Sequence, residues 1–212
     1  CGARKRTGKL PPVADPVRRL LPLLLLLLGL WQLAGAAWID AKAVLAQQLI
    51  AGAWERSLQA GGAAEKPWPW ADTWPVARLQ VPRHAVDLYV LAGAGGNALA
   101  FGPGHERASA PLGREGVAVI GGHRDTHFAF LQRLQRNTLV QLQLPDGVRR
   151  NYRVEGMHIV DASRERMPLR AGQPSQLLLV TCYPFDALSA GGPLRYVVSA
   201  RPLGGAPGKI AF

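Results

Sequence analysis

From Leu20 to Ile39 the chain carries no charged residue, and no other feature restricts its fold as strongly. Twenty helical residues rise about 30 Å, the thickness of a bilayer hydrocarbon core. Arg4, Lys5, Arg6, Lys9, Arg18 and Arg19 precede the run and are opposed only by Asp15. Cations before an apolar span and few after it predict an N-terminus kept in the cytoplasm and a chain exported beyond about residue 40. Residues 1–19 then form a basic cytoplasmic tail, and residues 20–39 a transmembrane signal-anchor helix with Trp38 near the interface. A cleaved signal peptide, with Ala34-Gly35-Ala36 as an A-x-A site, is the competing expectation. The apolar run stays uncharged past that site, which favours the uncleaved anchor. Cys1 in place of Met predicts a true start upstream, and Cys1 would lie across the membrane from Cys182.

The tail also accounts for much of the charge. Of 212 residues, 25 are Lys or Arg and 14 are Asp or Glu, a net charge of +11, and nearly half of that excess precedes residue 20. The remaining excess is mostly arginine, a preference that genome composition explains as readily as a nucleic-acid surface does, so no nucleic-acid partner is expected. A hydrophobic content of 48% excludes a disordered chain, and two cysteines exclude a disulfide framework.

After the span, Asp40 to Ala60 reads as a helix, because Val44, Ile50, Trp54 and Leu58, with Leu45 and Leu49, recur mostly at three- and four-residue spacings. Gly61-Gly62 ends it. Lys66-Pro67-Trp68-Pro69-Trp70 and Trp74-Pro75 are too proline-dense for a helix interior, so residues 40–76 read as a helix followed by a Pro/Trp-rich linker. Trp68, Trp70 and Trp74 could form a carbohydrate-stacking platform, but a strap packing its rings on the domain surface is the favoured reading.

From about Ala77 the pattern becomes period two, with short apolar runs bounded by Gly and Pro. Expected strands are Ala77 to Val81, Ala85 to Leu91, Leu99 to Phe101, Val117 to Gly121, Thr138 to Leu144, Val148 to Asp161 with a break near Gly156, Leu177 to Thr181, and Arg195 to Ala200. Pro145-Asp146-Gly147 is a good hairpin turn. Phe128, Leu131 and Leu134 share a face of one short helix over Phe128 to Gln135. About eight short strands with one or two short helices predict a mostly β fold, a closed or nearly closed barrel over residues 77–203, followed by a tail over 204–212.

The chemistry lies in three places along that barrel. Leu177 to Thr181 is a buried strand leading into Cys182, and Pro184 prevents it from simply continuing. Val119-Ile120-Gly121-Gly122 is another strand whose glycine pair lets backbones approach closely before His123. Arg195 opens the last strand. Only a thiolate attacks, and an imidazole can take the proton or stabilise the thiolate. An Arg fork can hold a carbonyl or a developing oxyanion without losing its charge. Arg124 rivals Arg195 for that role, Asp125 could orient His123 as in a triad, and His127 could replace His123 as base. His123 and His127 could share a metal only on a helix, which the preceding glycines oppose, so no metal or cofactor is expected. Glu106, Glu115 and Asp161 are the acidic residues available to calcium, without a recognisable spacing. His84, His105 and His158 read as structural or surface residues.

Gly122-His123-Arg124-Asp125-Thr126, Val180-Thr181-Cys182 and Arg195-Tyr196-Val197-Val198, in that order, resemble the His, Cys and Arg motifs of sortases, the membrane-anchored cysteine transpeptidases. With Phe101-Gly102-Pro103-Gly104-His105 and Thr181-Cys182-Tyr183-Pro184-Phe185, the chain is most similar to the branch found in Gram-negative proteobacteria. The resemblance covers roughly residues 77 to 202. It implies Cys182 as nucleophile, His123 as general acid/base and Arg195 as the group that orients substrate and steadies the oxyanion. It also implies an LPxTG-like C-terminal sorting signal on a secreted or membrane protein, cleaved between Thr and Gly through a thioacyl intermediate, with an amine as acceptor. Thr181 would contribute through its N–H or hydroxyl, and Asp161 to Gln176, with Met167-Pro168-Leu169, lies where the family places a substrate-cradling loop. The site would then face the periplasm from the inner membrane. Leu178 stands where the common motif has Thr, at a position expected to pack inside the barrel.

Two other classes fit less well. A cell-wall L,D-transpeptidase needs His and Cys almost adjacent, and a papain-like peptidase puts Cys first on a helix, whereas here the order is His, Cys, Arg. A membrane-tethered, non-catalytic β-domain would have no need of all three filled positions.

Overall fold

The structure is a computed structural model that describes residues 16–164, 174–187 and 191–203, and the side chains of residues 16–19, 36, 39 and 40 fall outside that description. The basic positions before Pro16, the Met167-Pro168-Leu169 segment and the tail over 204–212 therefore lie outside the described residues. The chain divides into two compact units, residues 1–44 and 45–212.

Helix α1 (Pro16–Gln59) begins in the first unit, with Pro22 inside it. The leucines between Leu20 and Leu30 are each more than half exposed. Among the described residues no helix is long and apolar enough to cross a membrane, which corrects the expectation of a transmembrane helix over 20–39. The stretch is helical and continuous with the rest of α1.

In the second unit, α1 turns an amphipathic face to the barrel. Ile50, Ala53 and Trp54 are buried there, and Gln47 Nε2 donates to the Phe101 carbonyl at 2.7 Å. Gly61 and Gly62 both take positive φ, which lets the Gly62 N–H return to the Ser57 carbonyl at 2.9 Å and end the helix. The strap that follows is tied down by Thr73, whose hydroxyl donates to the Ala92 carbonyl at 2.9 Å. Trp68 packs T-shaped on Phe101, with ring centroids 5.3 Å apart, and Trp74 lies under Arg107, while Trp70 is 83% exposed. With two of its three rings engaged by protein, the strap is a packing element.

Eight strands close a barrel: β1 (Pro75–Val81), β2 (Val86–Ala92), β3 (Gly104–His105), β4 (Val117–Gly121), β5 (Leu139–Gln143), β6 (Arg149–Asp161), β7 (Gln176–Cys182) and β8 (Leu194–Pro202). They neighbour one another as β1-β2-β3-β4-β7-β8-β6-β5, with β5 returning to β1. The β2–β3 and β4–β7 pairs are parallel and all others antiparallel. The break expected near Gly156 is a shift of register between Val154 and Gly156.

Leu99 to Phe101, expected as a strand, is instead the end of a single helical turn, α2 (Gly96–Leu99), and the residues after it. Ala98 there packs with Ile50 and Leu91, so the small apolar cluster is satisfied by a turn lying on the helix and not by a ladder. The strand that sequence reading missed is β3, only two residues long. An added Cβ on Gly104 would collide with the Gly93 carbonyl oxygen, so only glycine lets β3 pass there. The short helix over Phe128 to Gln135 is a 3-10 segment, Ala129–Arg133.

Inside the barrel lie Leu79, Ile120, Phe128, Leu131, Leu142, Leu177, Leu179 and Val198, each essentially inaccessible to solvent. A second layer sits on the other face of the sheet: Val117, Leu178 and Val197, with Val119, Val160 and Val180 against them. Leu178 belongs to this outer layer, which corrects its expected place inside. Strand residues alternate between faces, and the inward positions of β7 are Leu177, Leu179 and Thr181.

Candidate active site

The alternation that buries Leu177, Leu179 and Thr181 turns Leu178, Val180 and Cys182 outward. In the antiparallel β7–β8 pair Cys182 lies directly opposite Arg195, and cross-strand partners share a face. In the parallel β4–β7 pair Gly121 is level with Val180. The ladder runs past the end of β4, because the Gly122 N–H donates to the Val180 carbonyl at 3.1 Å and the Thr181 hydroxyl donates to the Gly122 carbonyl at 2.7 Å. One residue further on each strand, His123 comes level with Cys182. Adjacent strands lie about 4.8 Å apart, so the backbones of His123, Cys182 and Arg195 stand side by side at the neighbouring ends of β4, β7 and β8.

Each member of the row is held by its backbone. Gly122 must be glycine, since an added Cβ would lie 2.7 Å from the Phe128 ring. The Phe128 N–H donates to the His123 carbonyl at 2.9 Å, and Phe128 is fully buried, so the turn after His123 is anchored in the core. Arg195 Nη1 donates to the carbonyls of Gly192 at 2.6 Å and Leu194 at 2.9 Å, which fixes one arm of its fork. Cys182 is a free thiol of intermediate exposure, and His123 is exposed. Near the ends of β7 and β8, Tyr183, Phe185 and Tyr196 form an aromatic cluster with centroids 5.2 to 6.3 Å apart. Burial, and then Tyr183, push the Tyr196 phenol up.

The secondary positions have separate duties. Thr181 spends its hydroxyl on Gly122 and so positions the His123 strand. Arg124 Nη2 donates to the Ala187 carbonyl at 2.6 Å, joining the His123 turn to the loop after Cys182. No hydrogen bond among the described residues joins Asp125 to His123. His127 is half-buried, 3.5 Å from the Thr126 hydroxyl through Nδ1, and the segment is a turn. Burial holds its imidazole below the ordinary range, His123 pushes the same way, and Asp125 opposes.

The remaining titratable candidates lie elsewhere in the fold. His105 Nε2 is 3.0 Å from the Ala110 carbonyl and 3.3 Å from the Ser109 hydroxyl, a local lock on β3. His84 ends the 3-10 turn Pro82–His84, and His158 is exposed on β6. Glu106 accepts from the Ala108 N–H and Asp161 from Ser163, and no group of three possible ligands forms a metal site among the described residues.

Sequence reading missed the outer apolar layer of Val117, Val119, Val160, Leu178, Val180 and Val197, which forms a floor leading to the row. Only the strand register brings these residues together. The signal available in the sequence was the unbroken run of β7, since a strand apolar on both faces is covered on both.

Comparison with known proteins agrees with this architecture. The sequence matches the sortase domain over residues 79–203. Sortase D of Bacillus subtilis (strain 168) is 29% identical over 123 residues, 58% of this chain. The chain spans 61% of the length of that curated relative. Among solved structures, the fold is similar to a Clostridium perfringens Sortase D5 transpeptidase, at 18% identity and a TM-score of 0.56 over 71% of this chain and 88% of that one. It is also similar to sortase A from Corynebacterium diphtheriae, at 21% identity and a TM-score of 0.55 over 77% and 86% of the two chains. Those identities speak to the fold, and the match over residues 79–203 speaks to descent: the chain belongs to the sortase family.

Proposed function

We propose that the protein is a cysteine transpeptidase that cleaves an LPxTG-like C-terminal sorting signal between Thr and Gly and passes the acyl half to an amine. The observation that carries this reading is the pairing of Cys182 with Arg195 across β7 and β8, with His123 two residues beyond Gly121, the β4 partner of Val180. The Cys182 thiolate adds to the scissile carbonyl carbon, and the oxyanion so formed meets the donors of Arg195 not spent on Gly192 and Leu194. The C–N bond breaks as the His123 imidazolium gives its proton to the departing nitrogen, leaving a thioester on Sγ. An incoming amine then attacks that carbon and loses its proton to His123. The C–S bond breaks and the thiolate returns. The acyl half lies along the apolar floor of Val180, Val197 and Val119, and the departing half leaves beyond the strand ends.

Location and lineage belong to the same proposal. The cations before residue 20 and the uncharged run to Ile39 support attachment at the inner membrane, with the barrel in the periplasm. The Phe101-Gly102-Pro103-Gly104-His105 and Tyr183-Pro184-Phe185 segments support the Gram-negative branch. Protease added to spheroplasts degrades the barrel in that arrangement, and a protected barrel would reverse it.

The chemistry is tested with the compact unit from residue 45 onward, a quenched LPxTG-like peptide, amines and mass spectrometry. Cleavage after Thr with a thioacyl adduct on Cys182 is expected. Cys182→Ala and His123→Ala lose the cleavage, and Arg195→Lys reduces it strongly. A wild type whose Cys182 reacts with thiol probes but forms no adduct with any sorting-signal variant would overturn the substrate assignment.

A further inference from the structure

A cleft of about 580 Å³ opens beside the end of β4, lined by the strap, the end of β2, the α2 turn, and Glu106 and Arg107 after β3. Its wall Ala94 packs against the outer face of Gly121, where an added Cβ would stand 3.8 Å from the Ala94 Cβ. Gly121 precedes His123 by two residues on that same face, so the cleft adjoins the row on the β4 side, opposite to Arg195. The sorting-signal reading assigns it no role.

Its lining is fixed in two places by opposite charges. The Arg107 guanidinium lies over the Trp74 ring, 5.6 Å from the centroid, and its Nε would be 3.5 Å from a Cβ placed on Gly93. Among the described residues no hydrogen bond or ion pair engages that guanidinium, so an aromatic face orients the fork while its N–H donors stay unspent. Across the cleft, Asp72 is held by Asn97 Nδ2 at 2.9 Å. The strap carrying Asp72 and Trp74 is locked to β2 by the Thr73 hydroxyl on the Ala92 carbonyl and by the Ala92 N–H on the Trp74 carbonyl, each at 2.9 Å. Arg107 is exposed at the cleft, and a guanidinium laid on an aromatic face presents a planar fork that matches a carboxylate.

We propose that this cleft binds the incoming amine acceptor, and that the acceptor carries a carboxylate held by Arg107. The proposal rests on the transpeptidase reading and names the class of its second substrate: an amine with a carboxylate one short peptide unit away. The amine end reaches the thioester past Gly121 and His123, while the carboxylate end stays on Arg107.

Glycylglycine and glycylglycinamide test this, since they present the same amine and differ in the terminal carboxylate. Wild type, Arg107→Ala and Arg107→Lys are each given the quenched peptide and increasing concentrations of either amine, and thioacyl formation and amide product are followed by mass spectrometry. The rate of thioacyl formation is expected to be the same in all three proteins. The KM for glycylglycine is expected to rise about tenfold in Arg107→Ala, with partial recovery in Arg107→Lys and no change for glycylglycinamide. Equal effects on both amines, or none on either, would overturn the proposal while leaving the transpeptidase standing. A wild type that forms no thioacyl adduct would remove both readings together.

Discussion

Two walls of this barrel share one interior and differ outside. On the wall of β1, β5 and the first half of β6, the inward Leu79, Val140, Leu142, Tyr152 and Val154 are buried, and the outward side chains bond to one another. Arg78 holds Asp87 through bonds of 2.7 and 2.6 Å, Gln80 joins them at 3.1 Å, and Gln141 meets Asn151 at 3.0 Å. On the wall of β4, β7 and β8, the interior is equally dry, yet Val117, Leu178 and Val197 are buried on the outside as well. A wall that alternates faces water. A wall apolar on both faces faces something else. Cys182 and Arg195 stand at the end of the wall whose alternation fails.

Substitutions can break that comparison. The largest effect expected is from Cys182→Ala, which ends adduct formation while leaving the urea midpoint in place; a large fall in the midpoint would make Cys182 a packing residue. Next, Gly122→Ala forces its Cβ against the Phe128 ring, 2.7 and 2.8 Å away, and should cost about 1–3 kcal/mol in urea unfolding. An unaltered midpoint would mean that the Phe128 anchor is soft. Between the two outer faces, Val180→Ser should raise the KM for the sorting peptide about tenfold. Gln141→Ser on the opposite wall should leave it unchanged, and similar values from the two variants would erase the distinction.

Smaller effects sharpen it. His127 is held below its ordinary range by burial first, so the unfolded chain binds a proton that the folded one refuses. Stability should therefore fall as the pH drops below about 6.5, the unperturbed histidine value, until the folded group also titrates. His127→Gln should flatten that part of the stability profile, and an identical profile would assign the dependence to another group. Last, Arg78→Ala on the polar wall removes an exposed ion pair and should cost under about 1 kcal/mol. Its partner Asp87 is held low chiefly by the Arg78 hydrogen bond, so the pair's contribution disappears as the pH falls through the depressed Asp87 value.

Much of this was legible in the chain. Period-two runs marked β1, β2, β5, β6 and β8, and the Gly-Gly before His123 and the apolar run before Cys182 marked two of the three strand ends. What stayed hidden depends on residues far apart. Leu99 to Phe101 has strand-like side chains, but Phe101 is claimed by Trp68 and α2 by the helix below it. Two-residue β3 is too short for any period to reveal. His123 and Cys182 become neighbours only through a parallel pair that composition cannot register, and Arg107 reaches Trp74 only because the strap lies along the end of β2.

The closing contact between β5 and β1 has a consequence for how a polypeptide is caught. A sheet with open edges can recruit an extended ligand as an extra strand, through backbone bonds that ignore sequence. This circuit leaves few such edges: every strand has a neighbour on both sides, and open stretches remain only where a partner is short, as beside two-residue β3 and along β6 beyond its pairing with β5. Recognition of an extended chain then falls chiefly to side chains, which select by sequence where a backbone ladder does not. The same closure protects the barrel itself, since few strand edges are left to act as a template for aggregation.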